Sequence, residues 1–295
     1  MRLLIAGPTA SGKTALAIDV ARRLGGVVVN GDSMQVYRDL SILTARPTPE
    51  EQAGVEHLMF GTVDAAENFS VGRWLAGVAA ILAEETRPLI FCGGTGLYFS
   101  ALTQGVSDIP AVPEAVRAQI RAELAGLAPH QMWARLKAAD PATAARLRPS
   151  DPQRVTRALE VFAATGRSLA GFQDARQAPL LAPGTWRGVF LAVEREALYR
   201  RIDARFSAMI DAGALEEVRA LAARGLDPAL PAMRAHGVPG LIAHLAGETT
   251  LDEAIARGQA DTRRYVKRQF TWARHQLKGF GWAPDAGAAR AALLG

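Results

Sequence analysis

The residues best suited to chemistry stand near the start of the chain. The stretch "GPTASGKT", Gly7–Thr14, matches the pattern G-x-x-x-x-G-K-[ST], in which the backbone N–H groups of a curled loop converge on phosphate oxygens. Gly7, Pro8, Thr9, Ala10, Ser11 and Gly12 supply the curl and its amides, Lys13 a mobile positive charge, and Thr14 a hydroxyl for Mg²⁺. The N-terminus of the following helix adds partial positive charge. A nucleotide hydrolase built on such a loop also needs an apolar strand ending in a metal-holding acid. The candidate strand, Leu89-Ile90-Phe91, instead runs into Cys92-Gly93-Gly94-Thr95. The early acid at the C-terminal edge of a core strand is Asp32, in "NGDSMQVYR", and that edge is where open α/β sheets place their chemistry. Asp32 reads as a general base beside the phosphate site or as a plain turn or N-cap aspartate, and its location leaves both open.

The elements that must hold these residues follow from apolar patterning. Arg2 to Ala6 reads as a short buried strand, Lys13 to Leu24 as a helix, and Val27-Val28-Val29 as a second strand. Further apolar runs at Pro88–Cys92 and Trp186–Val193 read as strands, with helical segments such as Val71–Glu85 between them. Strands alternating with helices predict an α/β fold: a P-loop NTPase-like core whose parallel sheet is flanked by helices. Residues 113–178 are helix-favouring throughout, with breaks at Pro129, Pro141, Pro149 and Pro152. They predict an all-helical insertion domain between two parts of the core, 1–112 and 179–282. Beyond the last strand the pattern is helical over Glu196–Ala212, Leu215–Arg224, Leu251–Arg257 and Gln259–Lys278. An Ala-rich tail, 283–295, carries little pattern.

Composition narrows the function classes. The 295 residues, 49% hydrophobic and 21% charged, can build an ordinary core. No apolar run reaches membrane-spanning length, and the apolar start is broken by Gly7-Pro8 too early for a signal peptide. The single cysteine excludes an internal disulfide and a cysteine-rich zinc site. These features predict a cytoplasmic protein with no membrane partner, for which a monomer suffices. The formal charge is +5, and Arg257–Lys278 holds seven Lys/Arg against one acid, the local focus that a phosphate backbone selects. Within it Arg264, Lys267 and Arg268 cluster, while Tyr265 and Trp272 are expected to pack against the core.

Three stretches, "GPTASGKT", "DSMQVYR" (Asp32–Arg38) and "GGTGLY" (Gly93–Tyr98), stand in the order and spacing of the tRNA dimethylallyltransferases. "HL…NFSVGRW" (His57–Trp74), "DPQRVTRALEV" (Asp151–Val161) and "TRRYVKRQFTWAR" (Thr262–Arg274) extend the resemblance over nearly the whole chain. Members of that family transfer the dimethylallyl group of dimethylallyl diphosphate to N6 of the adenosine immediately 3′ of a tRNA anticodon, and diphosphate leaves. The resemblance therefore implies that Gly7–Thr14 cradles a prenyl diphosphate, with Mg²⁺ on Thr14 and Lys13 in the catalytic set. It implies that Asp32 is the base for the adenine amine and that Thr95 lies beside the reacting centre. It implies an anticodon stem-loop held by Asp32, Ser33, Met34, Gln35, Thr95, Arg117, Gln153, Arg154, Val155, Thr156 and Arg157. The sequence departs from the family at Leu43–Pro47, "LTARP" for the usual "GTAKP", at Glu56-His57 for a His-His pair, and at Gly237-Val238 for Gly-Tyr. His57 and His236 have no metal-ligand pattern and read as packed or surface histidines. The competing reading of the loop is a small-molecule or nucleotide kinase, which would turn over ATP.

Overall fold

The computed structural model describes residues 1–174 and 177–295 and divides the chain into two compact units: Met1–Thr103 with Leu180–Gly295, and Gln104–Pro179. The expected insertion range, 113–178, includes residues 175 and 176, which lie outside the described residues.

In the first unit the chain runs through β1 (Arg2–Ala6), α1 (Lys13–Leu24), β2 (Val27–Asn30), a single turn α2 (Pro49–Gln52), β3 (His57–Leu58), α3 (Val71–Glu84), β4 (Leu89–Gly93) and α4 (Gly96–Gln104). The second unit contains α5 (Glu114–Leu124), α6 (Pro129–Ala139), α7 (Pro141–Ala144), α8 (Pro152–Thr165) and α9 (Leu169–Asp174). The first unit resumes with β5 (Arg187–Leu191), α10 (Arg195–Asp211), α11 (Ala214–Ala223), α12 (Val238–Leu245), α13 (Leu251–Gln276), β6 (Phe280–Ala283) and α14 (Ala286–Leu294).

Six parallel strands form one sheet in the order β3-β2-β4-β1-β5-β6. The expected α/β fold with a parallel sheet flanked by helices is therefore present. The central strands are apolar on both faces because helices cover both sides. Leu4, Val29, Phe91 and Phe190 join one core with α3, α4, α10 and α13, while Leu3, Ile5, Ile90 and Leu191 join another with α1 and α14. The second unit has its own core around Leu136, Val155, Ala158 and Val161.

Two sequence expectations need correction. The break at Gly258 does not exist: α13 is one helix of 26 residues. Gly258 is there because the Phe206 ring packs onto it, and an added Cβ would fall 2.2 Å from that ring. Nor is 283–295 a featureless tail. Ala283 closes β6, and α14 buries Ala289 and Leu293 beside β5 and α1. Small alanines give a weak amphipathic signal, yet close packing is what they allow.

Candidate active site

Three chain turns, after β1, β2 and β4, meet at the C-terminal edge of the sheet and are hydrogen-bonded to one another. Gly7 N–H donates to the Gly93 carbonyl at 3.3 Å, Gly31 N–H to Cys92 at 2.8 Å, and Thr95 N–H to Gly31 at 3.2 Å. Gly93 must be glycine, since a Cβ there would lie 2.0 Å from the Gly31 carbonyl carbon. The sequence is thus glycine-rich at this edge because backbones touch.

In the loop Gly7–Gly12 the left-handed backbone positions are Ala10 (φ 60°) and Gly12 (φ 88°). Ala10 holds a conformation that a side chain disfavours, the kind of local strain that a surrounding structure must enforce. Gly7 is needed for closeness instead: its Cβ would meet Ser11 Oγ at 3.0 Å and Leu191 at 3.1 Å. Lys13 Nζ donates to the loop's own Pro8 carbonyl at 3.2 Å. Burial of the ammonium end pushes its pKa below 10.5, partly opposed by Cys92 and Asp32. The Thr9 N–H does not point at an open cradle, because it donates to Gln269 Oε1 at 3.2 Å. Thr14 opens the first helical turn and lines a cavity of about 470 Å³ together with Arg46, Thr48, Glu51 and Arg205.

Asp32 combines both of its sequence readings. Oδ1 accepts the Met34 N–H at 2.9 Å, a turn-aspartate bond. Oδ2 lies beside Gly94, 3.2 Å from where a Cβ would stand, and no hydrogen bond reaches it among the described residues. The backbone is held in turn by Asn30, whose Oδ1 accepts the Asp32 N–H at 2.8 Å and whose Nδ2 donates to the Asp32 carbonyl at 3.0 Å. Thr95 does not cap its own helix with its side chain. Its Oγ1 accepts the Ser33 N–H at 2.9 Å and donates to Ser33 Oγ at 3.2 Å, which ties the β4 turn to the β2 turn. Gln35 spends both amide hydrogens on the carbonyls of Thr44 and Ala45, each at 2.9 Å, leaving an acceptor oxygen. Met34 is half-buried.

A second cavity, of about 200 Å³, opens between Gly7, Gly94–Leu97 and the helix α13. Tyr265, Arg268 and Trp272 wall it from α13. Tyr265 and Trp272 therefore line a cavity while packing. The Tyr265 ring lies 4.8 Å from His236 and 5.5 Å from the Arg268 guanidinium, and burial raises its phenol pKa. Burial likewise lowers the pKa of His236. His57 bonds the Val55 carbonyl at 2.8 Å, and no cluster of three or more His, Cys, Asp or Glu suited to a metal occurs among the described residues.

The family model described as IPP transferase covers residues 35–276. The chain belongs to the IPP transferase family. A tRNA dimethylallyltransferase of Methylocella silvestris is 61% identical over 295 residues, covering 99% of this chain and 97% of that one. One of Nitrobacter hamburgensis is 59% identical over 283 residues, covering 95% and 89%. Among solved structures, a full-length tRNA isopentenylpyrophosphate transferase from Bacillus halodurans has a TM-score of 0.68 at 34% identity, covering 96% of this chain and 89% of that one. A eukaryotic dimethylallyltransferase acting on tRNA has a TM-score of 0.77 at 26% identity, covering 97% and 74%.

In this IPP transferase, sequence reasoning passed over two residues of the first unit. Arg205, on α10, reaches the cavity that Thr14 lines, and its charge is felt by Lys13. Burial lowers its pKa, with Glu51 and Asp32 opposing. Gln269, on α13, is buried. Each stands in the apolar stripe of its helix, Arg205 with Leu198, Ile202 and Phe206, Gln269 with Val266, Phe270 and Ala273. A polar residue at a core-facing position was the available signal.

In the second unit, Asp151 caps α8 by accepting the Arg154 N–H at 3.2 Å, and Pro152 occupies the first turn. Gln153 and Arg154 are exposed, Thr156 and Arg157 half-buried, and Val155 is fully buried in the core. Arg154 pairs with Asp151 at 3.5 Å, while Arg157 and Arg121 flank the buried Glu160 at 3.7 and 3.8 Å. Arg117 pairs with Glu114 at 3.6 Å.

Proposed function

We propose that this protein transfers the dimethylallyl group of dimethylallyl diphosphate to N6 of the adenosine immediately 3′ of the anticodon in tRNA, releasing diphosphate. The observation that carries the reading is the meeting of a phosphate-binding loop with an aspartate whose Oδ2 is unengaged, at one sheet edge. Family membership supports the same reaction.

The adenine amine is a weak nucleophile because its lone pair is delocalised into the ring. It attacks C1 of the prenyl group while the C1–O bond breaks and diphosphate departs with the electron pair. The loop amides, Lys13 and Arg205, both cations partly desolvated, stabilise that leaving charge. Asp32 Oδ2 accepts the amine proton, and Asn30 and Met34 hold the carboxylate in place. Thr95 holds the Ser33 turn, and Ser33, Met34 and Gln35 border the target base, with Gln35 able only to accept a hydrogen bond from it. Mg²⁺ would be held by Thr14, a hard oxygen donor on the wall of a cavity that the Glu51 carboxylate also lines. When bound there with the diphosphate, it adds charge neutralisation to the leaving group. Gln153, Arg154, Thr156, Arg157 and Arg117 contact the tRNA backbone from the helical unit. The target nucleotide leaves its stack to reach Asp32, a step that costs less in an anticodon loop than in a duplex.

The test is transfer of labelled dimethylallyl from its diphosphate to an unmodified tRNA carrying adenosines after the anticodon, with Mg²⁺ and no ATP. Label should enter the tRNA and vanish when the target adenosine is replaced by guanosine. Turnover of ATP without labelling would make the loop that of a kinase.

A further inference from the structure

The diphosphate loop and the turn that carries Thr95 belong to different strands, yet one side chain spans both. Gln269 Oε1 accepts the Thr9 N–H at 3.2 Å, and its Nε2 donates to the Gly94 carbonyl at 2.9 Å. We infer that Gln269 is a positioning residue that sets the diphosphate loop in register with the turn carrying Asp32's neighbour Gly94 and Thr95. This rests on the transfer reaction proposed above.

Three observations carry the inference. The partners suit an amide. Thr9 presents its backbone N–H and Gly94 its carbonyl, and an uncharged amide accepts from one while donating to the other. The same partners fix which end of the amide is oxygen. The contact is also close: a Cβ on Gly94 would fall 2.5 Å from Gln269 Nε2 and 3.2 Å from Asp32 Oδ2. The amide thus stands across the backbone from the carboxylate that takes the proton. Finally, Gln269 does not act alone on its helix face. Tyr265, four residues before it, and Trp272, three residues after, wall the same cavity, and Trp272 packs on Gly96 so tightly that a Cβ would lie 2.2 Å from its ring. The helix α13 therefore touches Thr9, Gly94 and Gly96 through one face.

A residue in this role changes the alignment of two bound reactants more than the affinity for either. Misplacement of about 1 Å can cost on the order of 100-fold in rate. The experiment measures kcat, KM for dimethylallyl diphosphate, KM for tRNA and Tm for Gln269→Met and Gln269→Glu. Methionine keeps length and bulk but makes neither bond. Glutamate keeps the acceptor for Thr9 and sets a carboxylate against the Gly94 carbonyl. The expected result is a fall in kcat of about 10- to 100-fold for both variants, with both KM values within about threefold and, despite a lowered Tm, both variants folded at the assay temperature. A kcat equal to that of the unsubstituted protein overturns the inference. So does a rise in either KM with kcat retained, or a loss of activity that only tracks the unfolded fraction. Should Gln269→Met not fold, the isosteric Gln269→Glu decides by the same criteria. An unsubstituted protein that transfers no dimethylallyl group overturns the proposed reaction itself, a result distinct from transfer by both protein and variants.

Discussion

In the sheet unit, Lys13 and Arg205 are half-buried, and burial lowers both pKa values. In the helical unit, Arg154 stands on the surface with its side chain 71% exposed and Asp151 3.5 Å away. The first arrangement concentrates charge in a partly desolvated site, so each interaction with a small anion is stronger than in solvent. The second leaves charge in solvent, where it is screened by salt and suits a long, hydrated phosphate backbone. On the reading proposed above, the difference teaches that two phosphate-bearing substrates are recognised by different physics: one site prebuilt from touching backbones, the other an electrostatic surface. The same contrast ranks the expected effects of substitution.

The largest effect is expected at Asp32. In Asp32→Asn the side-chain oxygen still accepts the Met34 N–H that fixes the turn, so the fold and tRNA affinity should stand. The amide cannot take the proton from the adenine amine. Transfer should fall by about 100- to 10,000-fold in kcat, with tRNA retention on a filter unchanged. Loss of tRNA binding in step with activity would blur the distinction between the two regions.

Lys13→Ala comes next, with a loss in kcat on the order of 100- to 1,000-fold. The pH dependence of diphosphate affinity sharpens the point. Burial holds the Lys13 pKa below 10.5 in the free protein, so the ammonium is lost as pH rises through that lowered value. Affinity should therefore fall at a lower pH than an exposed lysine would allow. Titration calorimetry with inorganic diphosphate checks this, and a flat profile up to pH 10.5 would place the ammonium in solvent.

On the helical unit the effects should be smaller and salt-dependent. Arg154→Ala should raise KM for tRNA severalfold, leave kcat and the KM for dimethylallyl diphosphate alone, and reduce the salt slope of tRNA binding by about one. Arg157→Ala should also cost stability, since it removes a cation 3.7 Å from the buried Glu160. A shift in kcat for Arg154→Ala would show that the helical unit takes part in the chemistry.

The two regions were also unequally legible in the sequence. The phosphate loop was plain because backbone geometry restricts which residues fit: Gly7 for closeness, Gly12 for its left-handed turn, Lys13 and Thr14 for their functional groups. The strands β1, β2, β4 and β5 were readable from apolar runs, whereas β3, two residues long, and β6, with buried Phe280 and Ala283 about an exposed pair, were too short to show a period. Asp32 could be located but its free oxygen could not, because that depends on Asn30 and Met34 folding around the other one. Gln269 and Arg205 reach the site from 256 and 192 positions beyond Lys13, distances that no local pattern encodes. The α8 arginines were visible as charges, but only packing revealed that Arg157 serves a buried glutamate and that Val155 faces inward.

The smallest expected effect concerns Cys92, which lies under the phosphate loop with its Sγ 3.5 Å from the Lys13 carbonyl. Burial pushes its thiol pKa up to about 12, although Lys13 pulls the other way. At neutral or mildly alkaline pH almost no thiolate exists, and thiolate is the species that alkylating reagents attack. The folded protein should therefore resist iodoacetamide at pH 8, while protein unfolded in urea should be modified at the rate of an ordinary cysteine. Diphosphate should slow any residual modification further, because it stabilises the closed loop above the thiol. Rapid labelling of the folded protein would mean that the loop opens often, and that the prebuilt character of this site, the feature separating it from the helical unit, is lost for much of the time.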